Sequence, residues 1–204
     1  MKKTHCKNDN KKFGLDMTEK LSEISKTLEL DISTIEQNNI SILNDIDDIS
    51  KELSELESTA AMYFINCLLT EYSKESAEIS QAIHKLSRLR HGALIVIEKN
   101  EPVSPWITGG IPINARVTSQ LLESIFNPKS QLYDGAVVVK QNLIVSAANQ
   151  LPFTEQIFWD RMFDPREMSA VGLSERCNAL ILLVSENGST SFCINGSLYP
   201  FSVK

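Results

Sequence analysis

The run Gly92-Ala-Leu-Ile-Val-Ile-Glu98 decides the fold. It is continuously apolar and rich in branched side chains, which predicts a strand buried on both faces rather than one. On its N-terminal side, Ser76–Arg90 places Ile79, Ile83 and Leu86 on one face and ends in a basic turn (Lys85, Arg88, Arg90). That pattern reads as a helix whose last-turn cations suit the negative end of its dipole. On the C-terminal side, residues 101–115 read as a Pro/Gly loop and Val117–Phe126 as an amphipathic helix. Ala136–Lys140 and Leu143–Ala147 flank a Gln141–Asn142 turn and read as a hairpin. Ala179–Val184 and Thr190–Ile194 pair across Glu186-Asn-Gly-Ser189, and Asn195–Gly196 turns the chain again. Hairpins interleaved with helices predict an α+β class, a mixed sheet flanked by helices.

Further out, the punctuation changes. All seven prolines lie between Pro102 and Pro200, and seven of the eight glycines at or after Gly92, the exception being Gly14. A stretch from 15 to 91 with neither breaker reads as helical. Residues 1–75 carry 9 basic and 15 acidic side chains, whereas residues 76–204 carry 11 of each. Three segments are therefore expected: a flexible N-terminus (1–15), a helical domain (16–75) and a sheet-containing domain (76–204). Within the helical part, Leu28, Ile32, Ile35, Ile42, Ile46, Ile49, Leu53 and Leu56 follow 4-3 spacing, with Asn39 at the skipped position. This narrow stripe fits one long helix or, the favoured form, a hairpin broken near Asn38–Asn39 with Ser41 as N-cap. Ala60–Leu69 is apolar nearly all round and demands burial. Either a partner covers these surfaces, or the helices are an acidic solvated pair with no further role.

Composition excludes several classes. With 204 residues, 42% hydrophobic and 23% charged, the chain has enough apolar material for a core. A net charge of −6 with no basic run argues against nucleic-acid binding through phosphates. No apolar stretch reaches membrane-spanning length, and the lysine-rich start lacks a signal-peptide apolar region, so a cytoplasmic protein is expected. Cys6, Cys67, Cys177 and Cys193 are scattered without a Cys-x-x-Cys and read as reduced thiols.

No phosphate loop, dinucleotide fingerprint or His-x-x-x-His pair occurs in the sequence. Two segments stand out. In Tyr133-Asp134-Gly135-Ala136, the Asp-Gly pair is either a plain turn or a carboxylate held at a strand end beside a glycine that lets a ligand approach. In Asp164-Pro165-Arg166-Glu167, Asp as N-cap, Pro at the first position and Glu at the third form a strong helix start. Capping leaves Arg166 unexplained. A helix N-terminus beside an arginine is also an anion site suited to phosphate.

These pieces, in order, resemble the catalytic domain of the diadenylate cyclases. The resemblance is carried by HGALIVIE (91–98), TGGIPINARVTSQLLESIF (108–126), YDGAVVV (133–139), NLIVSAANQLP (142–152), PREMSAVGLSE (165–175) and ALILLVSENG (179–188). The helical front end is similar to the regulatory appendage of the sporulation-type members. The resemblance implies that two ATP are joined into cyclic di-AMP with release of two pyrophosphates, in a site shared by two catalytic domains of a homo-oligomer. It maps the Asp-Gly-Ala motif onto Asp134, Gly135 and Ala136, with Asp134 binding a divalent metal (Mn²⁺ or Mg²⁺) and helping to deprotonate the 3′-hydroxyl. Leu151 falls where the family packs adenine, and Ser185 and Glu186 where it reaches phosphate and the metal. Arg166 and Glu167 fall within its phosphate-gripping segment. Two ATP bring high negative charge to a domain with no net positive charge, so divalent metal is the expected counter-charge.

The chain also departs from the family. Most members carry Thr-Arg-His-Arg where Pro165-Arg166-Glu167-Met168 stands, many carry His at Tyr133, and many carry a second acid at Asn187. These departures support an alternative, a nucleotide-binding or scaffolding protein that kept the fold and lost turnover.

Overall fold

Every residue of β1 (Ala93–Glu98) is buried. The computed structural model describes residues 5–34, 41–156 and 162–201. Around β1 lie β2 (Thr108–Arg116), β3 (Ala136–Lys140), β4 (Leu143–Gln150), β5 (Leu180–Val184), β6 (Thr190–Ile194) and β7 (Ser197–Phe201), in the order β2-β4-β3-β1-β5-β6-β7. β1 pairs parallel with β3, and the remaining pairings are antiparallel. The sheet is mixed.

The alternation of β1 explains its continuous hydrophobicity. Ala93, Ile95 and Ile97 join Val137, Val139, Leu180 and Leu182 in one core, while Leu94 and Val96 join Val138, Ile181 and Leu183 in another. Both faces must therefore be covered. Helices α3 (Ser76–Leu89) and α4 (Ser119–Ile125) cover the first through Ile79, Ile83, Leu86, Leu122 and Ile125. Helix α5 (Pro165–Ser174) covers the second through Ala170, Val171 and Leu173.

The expected loop at 101–115 is a loop only in its first half; residues 108–116 form β2. This strand is hidden from pattern reading because it lies at the sheet edge and is mostly exposed. An edge tolerates Pro112, whose missing N–H costs no ladder bond on the outer side. Gly109, Gly110 and Asn114 have positive φ, and pairing with β4 shifts register between Pro112 and Ala115.

The chain divides into the units Met1–Ala60 and Ala61–Lys204, fifteen residues earlier than the expected boundary at 75/76. Helix α2 (Ser41–Tyr72) supplies residues to both. Its apolar end puts Ala61, Ile65, Leu69 and Tyr72 into the core of the sheet unit. All-round hydrophobicity announces burial but not the surface that provides it.

In the first unit, α1 (His5–Thr34) begins eleven residues before the expected helical domain (16–75), within the segment expected to be flexible, and takes in Gly14. Here Ile24, Ile49 and Leu56 are buried together with Met17 packed against them. The two separate helices agree with the hairpin. Leu28, Ile32, Ile46 and Leu53 of the expected seam are exposed, however. Ile35 and the break at Asn38–Asn39 lie outside the described residues, as does the Ser41 side chain.

Cys177 and Cys193 are free and buried. Cys67 is disulfide-bonded, where a reduced thiol was expected. Sequence spacing carries no information on which sulfurs the fold brings within bonding distance. No described helix is long and apolar enough to cross a membrane.

Candidate active site

Strand direction gathers the motifs. Gly92 precedes β1 and Tyr133-Asp134-Gly135 precedes β3, its parallel neighbour. β4 and β5 run the other way, so Asn149–Leu151 and Ser185–Glu186, at their C-terminal ends, arrive at the same end of the sheet. The start of α5 closes the space. The result is a cleft of about 700 Å³ lined by Asp134, Leu151, Phe153, Asp164, Arg166 and Glu186, among others. This is the size range of small-ligand sites.

Asp134 is exposed in this cleft and makes no hydrogen bond or ion pair among the described residues. Its neighbour Gly135 has φ +94°, and a β-carbon there would lie 2.7 Å from the Asn149 carbonyl oxygen. The backbone that presses on Gly135 is therefore that of β4, not a ligand. Asn149 is buried, donates from Nδ2 to the Ala136 carbonyl at 2.8 Å and accepts from Ser146 Oγ at 3.0 Å. It pins the Asp-Gly-Ala segment to β4.

Across the cleft, Arg166 Nη1 donates to Glu186 Oε1 at 2.9 Å, and Tyr133 Oη donates to the same oxygen at 3.3 Å. The guanidinium also lies over the Tyr133 ring, 5.4 Å from its centroid. Arg166's hydrogen bond and charge, then the Tyr133 hydroxyl, pull the Glu186 carboxyl below its usual range. For Arg166, partial burial is the largest influence and opposes the charge, but the hydrogen bonds and charges of Glu186 and Tyr133 together outweigh it and the guanidinium is held more firmly protonated.

Helix α5 starts with the expected capping box. Asp164 Oδ1 accepts from Glu167 N at 2.8 Å, and Glu167 Oε2 accepts from Asp164 N at 3.0 Å. Glu167 is thereby buried in the cap and does not line the cleft. Of the other expected residues, Asp134, Gly135, Leu151, Arg166 and Glu186 line it. Ala136 is buried within β3, and Ser185 uses its backbone to hold the turn, donating to Ser189 and accepting from Gly188.

Among the described residues, no three side chains of metal-ligating type cluster to hold an ion. A magnesium ion bound with a nucleotide takes one or two carboxylates and completes its shell with phosphate oxygens and water. Asp134 is the uncommitted carboxylate. Asp164 Oδ1 is taken by the cap and Glu186 Oε1 by Arg166 and Tyr133, while the second oxygen of each is clear of hydrogen bonds among the described residues.

Comparison with known proteins gives the family. The family described as DisA bacterial checkpoint controller nucleotide-binding matches residues 80–198, and that described as diadenylate cyclase CdaS, N-terminal, matches residues 4–72. The chain belongs to the diadenylate cyclase family. It is 45% identical over 188 residues to diadenylate cyclase CdaS of Bacillus thuringiensis, covering 91% of this chain and 94% of that one. It is 36% identical over 181 residues to cyclic di-AMP synthase CdaS of Bacillus subtilis, covering 88% and 87%. A crystal structure from Bacillus cereus, titled a hypothetical membrane spanning protein, superposes with TM-score 0.76 at 40% identity over the whole of both chains.

Around this cleft of a diadenylate cyclase family member, sequence reasoning did not single out Asn149, Tyr133 as a partner of Glu186, or Gly92. Asn149 left one signal, a polar side chain late in the apolar run of β4. Gly92 left none, and Tyr133 showed only as a departure from the family's histidine, because the contacts of both depend on Arg166 arriving from α5.

Proposed function

We infer that this chain is a diadenylate cyclase, converting two ATP into cyclic di-AMP and two pyrophosphates. One observation carries the reading: an uncommitted carboxylate, Asp134, faces the same cleft as Arg166 and the apolar Leu151, in a chain that matches named cyclic di-AMP synthases along almost its whole length. The alternative of a scaffold without turnover is not favoured by those full-length relatives.

In each half-reaction the O3′ of one nucleotide attacks the α-phosphorus of the other. The O3′–P bond forms, the bond to pyrophosphate breaks, and the hydroxyl proton passes toward Asp134. Leu151 packs against adenine, and Arg166 neutralises phosphate oxygens through charge-assisted hydrogen bonds. Asp134 and Glu186 Oε2, both facing the cleft, would hold Mn²⁺ or Mg²⁺, which when bound would supply counter-charge to the phosphates. Glu167 and Ser185 act by shaping the helix start and the turn. Since each nucleotide must present its O3′ to the other's α-phosphorus, two copies meet face to face in a homo-oligomer. The N-terminal helices govern that assembly and restrain activity; exposed Leu28, Ile32, Ile46 and Leu53 are a surface suited to association.

The test is to incubate the full chain with ATP and Mn²⁺ or Mg²⁺ and to look for cyclic di-AMP by mass. Binding of ATP without any product would overturn the enzyme reading and restore the scaffold.

A further inference from the structure

Gly92 is buried immediately before β1, where its backbone has no left-handed torsion that would require glycine. The reason for glycine lies in space. A β-carbon built there would have three nearest neighbours, all from Arg166: Cζ at 2.8 Å, Nη1 at 2.9 Å and Nη2 at 3.1 Å. The guanidinium thus rests on the Gly92 α-carbon. Its other supports come from Tyr133, whose ring lies 5.4 Å from Cζ and whose hydroxyl shares Glu186 Oε1 with Arg166. An arginine side chain has many rotamers, and a floor plus a wall select one of them before substrate arrives.

We propose that Gly92 and Tyr133 are positioning residues that seat the Arg166 guanidinium for phosphate. The proposal rests on the reading of Arg166 as the phosphate-binding cation. Neither residue need touch ATP. Glu186 holds the guanidinium, and incoming phosphate competes with that carboxylate while the Gly92 floor and the Tyr133 ring stay in place. Any side chain at position 92 occupies the seat and turns the guanidinium out of the cleft.

The experiment is a pair of double-mutant cycles on the full-length protein, reading KM for ATP, kcat and thermal melting. Arg166→Ala is expected to weaken kcat/KM by about tenfold or more, the effect of a lost charge-assisted contact. Gly92→Ala and Tyr133→Leu are expected to act in the same direction in the wild-type background and to have no further effect once Arg166→Ala is present. A purely structural role would cost the same in both backgrounds, and that result overturns the proposal. So does a Gly92→Ala enzyme with wild-type kinetics while Arg166→Ala is impaired. If Arg166→Ala itself is without effect, the reading of Arg166 fails first and the seat falls with it. Should Gly92→Ala prevent folding, the Tyr133→Leu cycle alone decides by the same criterion.

Discussion

Gly135 and Asn149 are in backbone contact: the position of a β-carbon on Gly135 is 2.7 Å from the Asn149 carbonyl oxygen, and Gly135 has φ +94°. The turn that presents Asp134 to the cleft is thus fixed by β4 pressing on a residue without a side chain. Gly135→Ala must both adopt a disfavoured torsion, at about 1–2 kcal/mol, and push two strands apart. We expect a lower midpoint in urea and strongly reduced synthesis. A variant of unchanged stability would show that the contact relaxes freely.

Asp134→Asn separates chemistry from folding. Asp134 is exposed and engages no other described side chain, so its replacement should leave the melting temperature unchanged. Loss of a proton acceptor and metal-binding oxygen should slow synthesis by on the order of 10² to 10⁴. Near-normal turnover by the folded variant would remove this aspartate from the mechanism.

Glu167→Ala should show the opposite profile. Glu167 closes the capping box on Asp164 and stays out of the cleft, so its loss should cost roughly 1 kcal/mol of stability and little activity per folded molecule. Denaturation curves and initial rates on the same samples check this. A kinetic effect larger than that of Arg166→Ala would place phosphate at the helix start rather than at the guanidinium.

The Glu186 carboxyl titrates below an ordinary glutamate because Arg166 and Tyr133 favour its ionised form. The contact with Arg166 is therefore intact at neutral pH and above the usual glutamate value. It disappears only as pH falls through the lowered folded value. Carbon-detected NMR of the Glu186 carboxyl should give a midpoint below the usual range, moving up toward it in Arg166→Ala. An unshifted midpoint in the wild-type protein would mean the pair does not persist in solution.

Where the chain is cut should matter. A fragment starting near Ser76 loses Ile65, Leu69 and Tyr72 from the core of the sheet unit, each worth about 1.5–3 kcal/mol when buried. We expect the fragment from Ala61 to be the more stable and, freed of residues 1–60, to be faster per site than the full chain. Melting curves and rates over a range of protein concentration compare the two fragments with the full chain. If the well-folded Ala61 fragment is slower at every concentration, the helices activate rather than restrain.

The residues of 91–98, 133–139 and 179–184 determined by themselves that this chain builds a doubly covered mixed sheet, because burial on both faces leaves a continuous apolar run. The capping box at Asp164 was equally legible, since its bonds join residues three apart. The residues of the Asp-Gly-Ala segment left both a plain turn and a held carboxylate open to reading, and the reading as a site came from the family resemblance. Tertiary structure alone decided the rest. Edge strand β2 has no buried face to imprint a pattern on residues 108–116. The end of α2 asked for a partner without naming it, and only packing assigned Ile65, Leu69 and Tyr72 to the sheet unit. Gly92 meets Arg166 from a distance of seventy-four residues, and a side chain's absence acquires meaning only when the fold brings another side chain to fill the space.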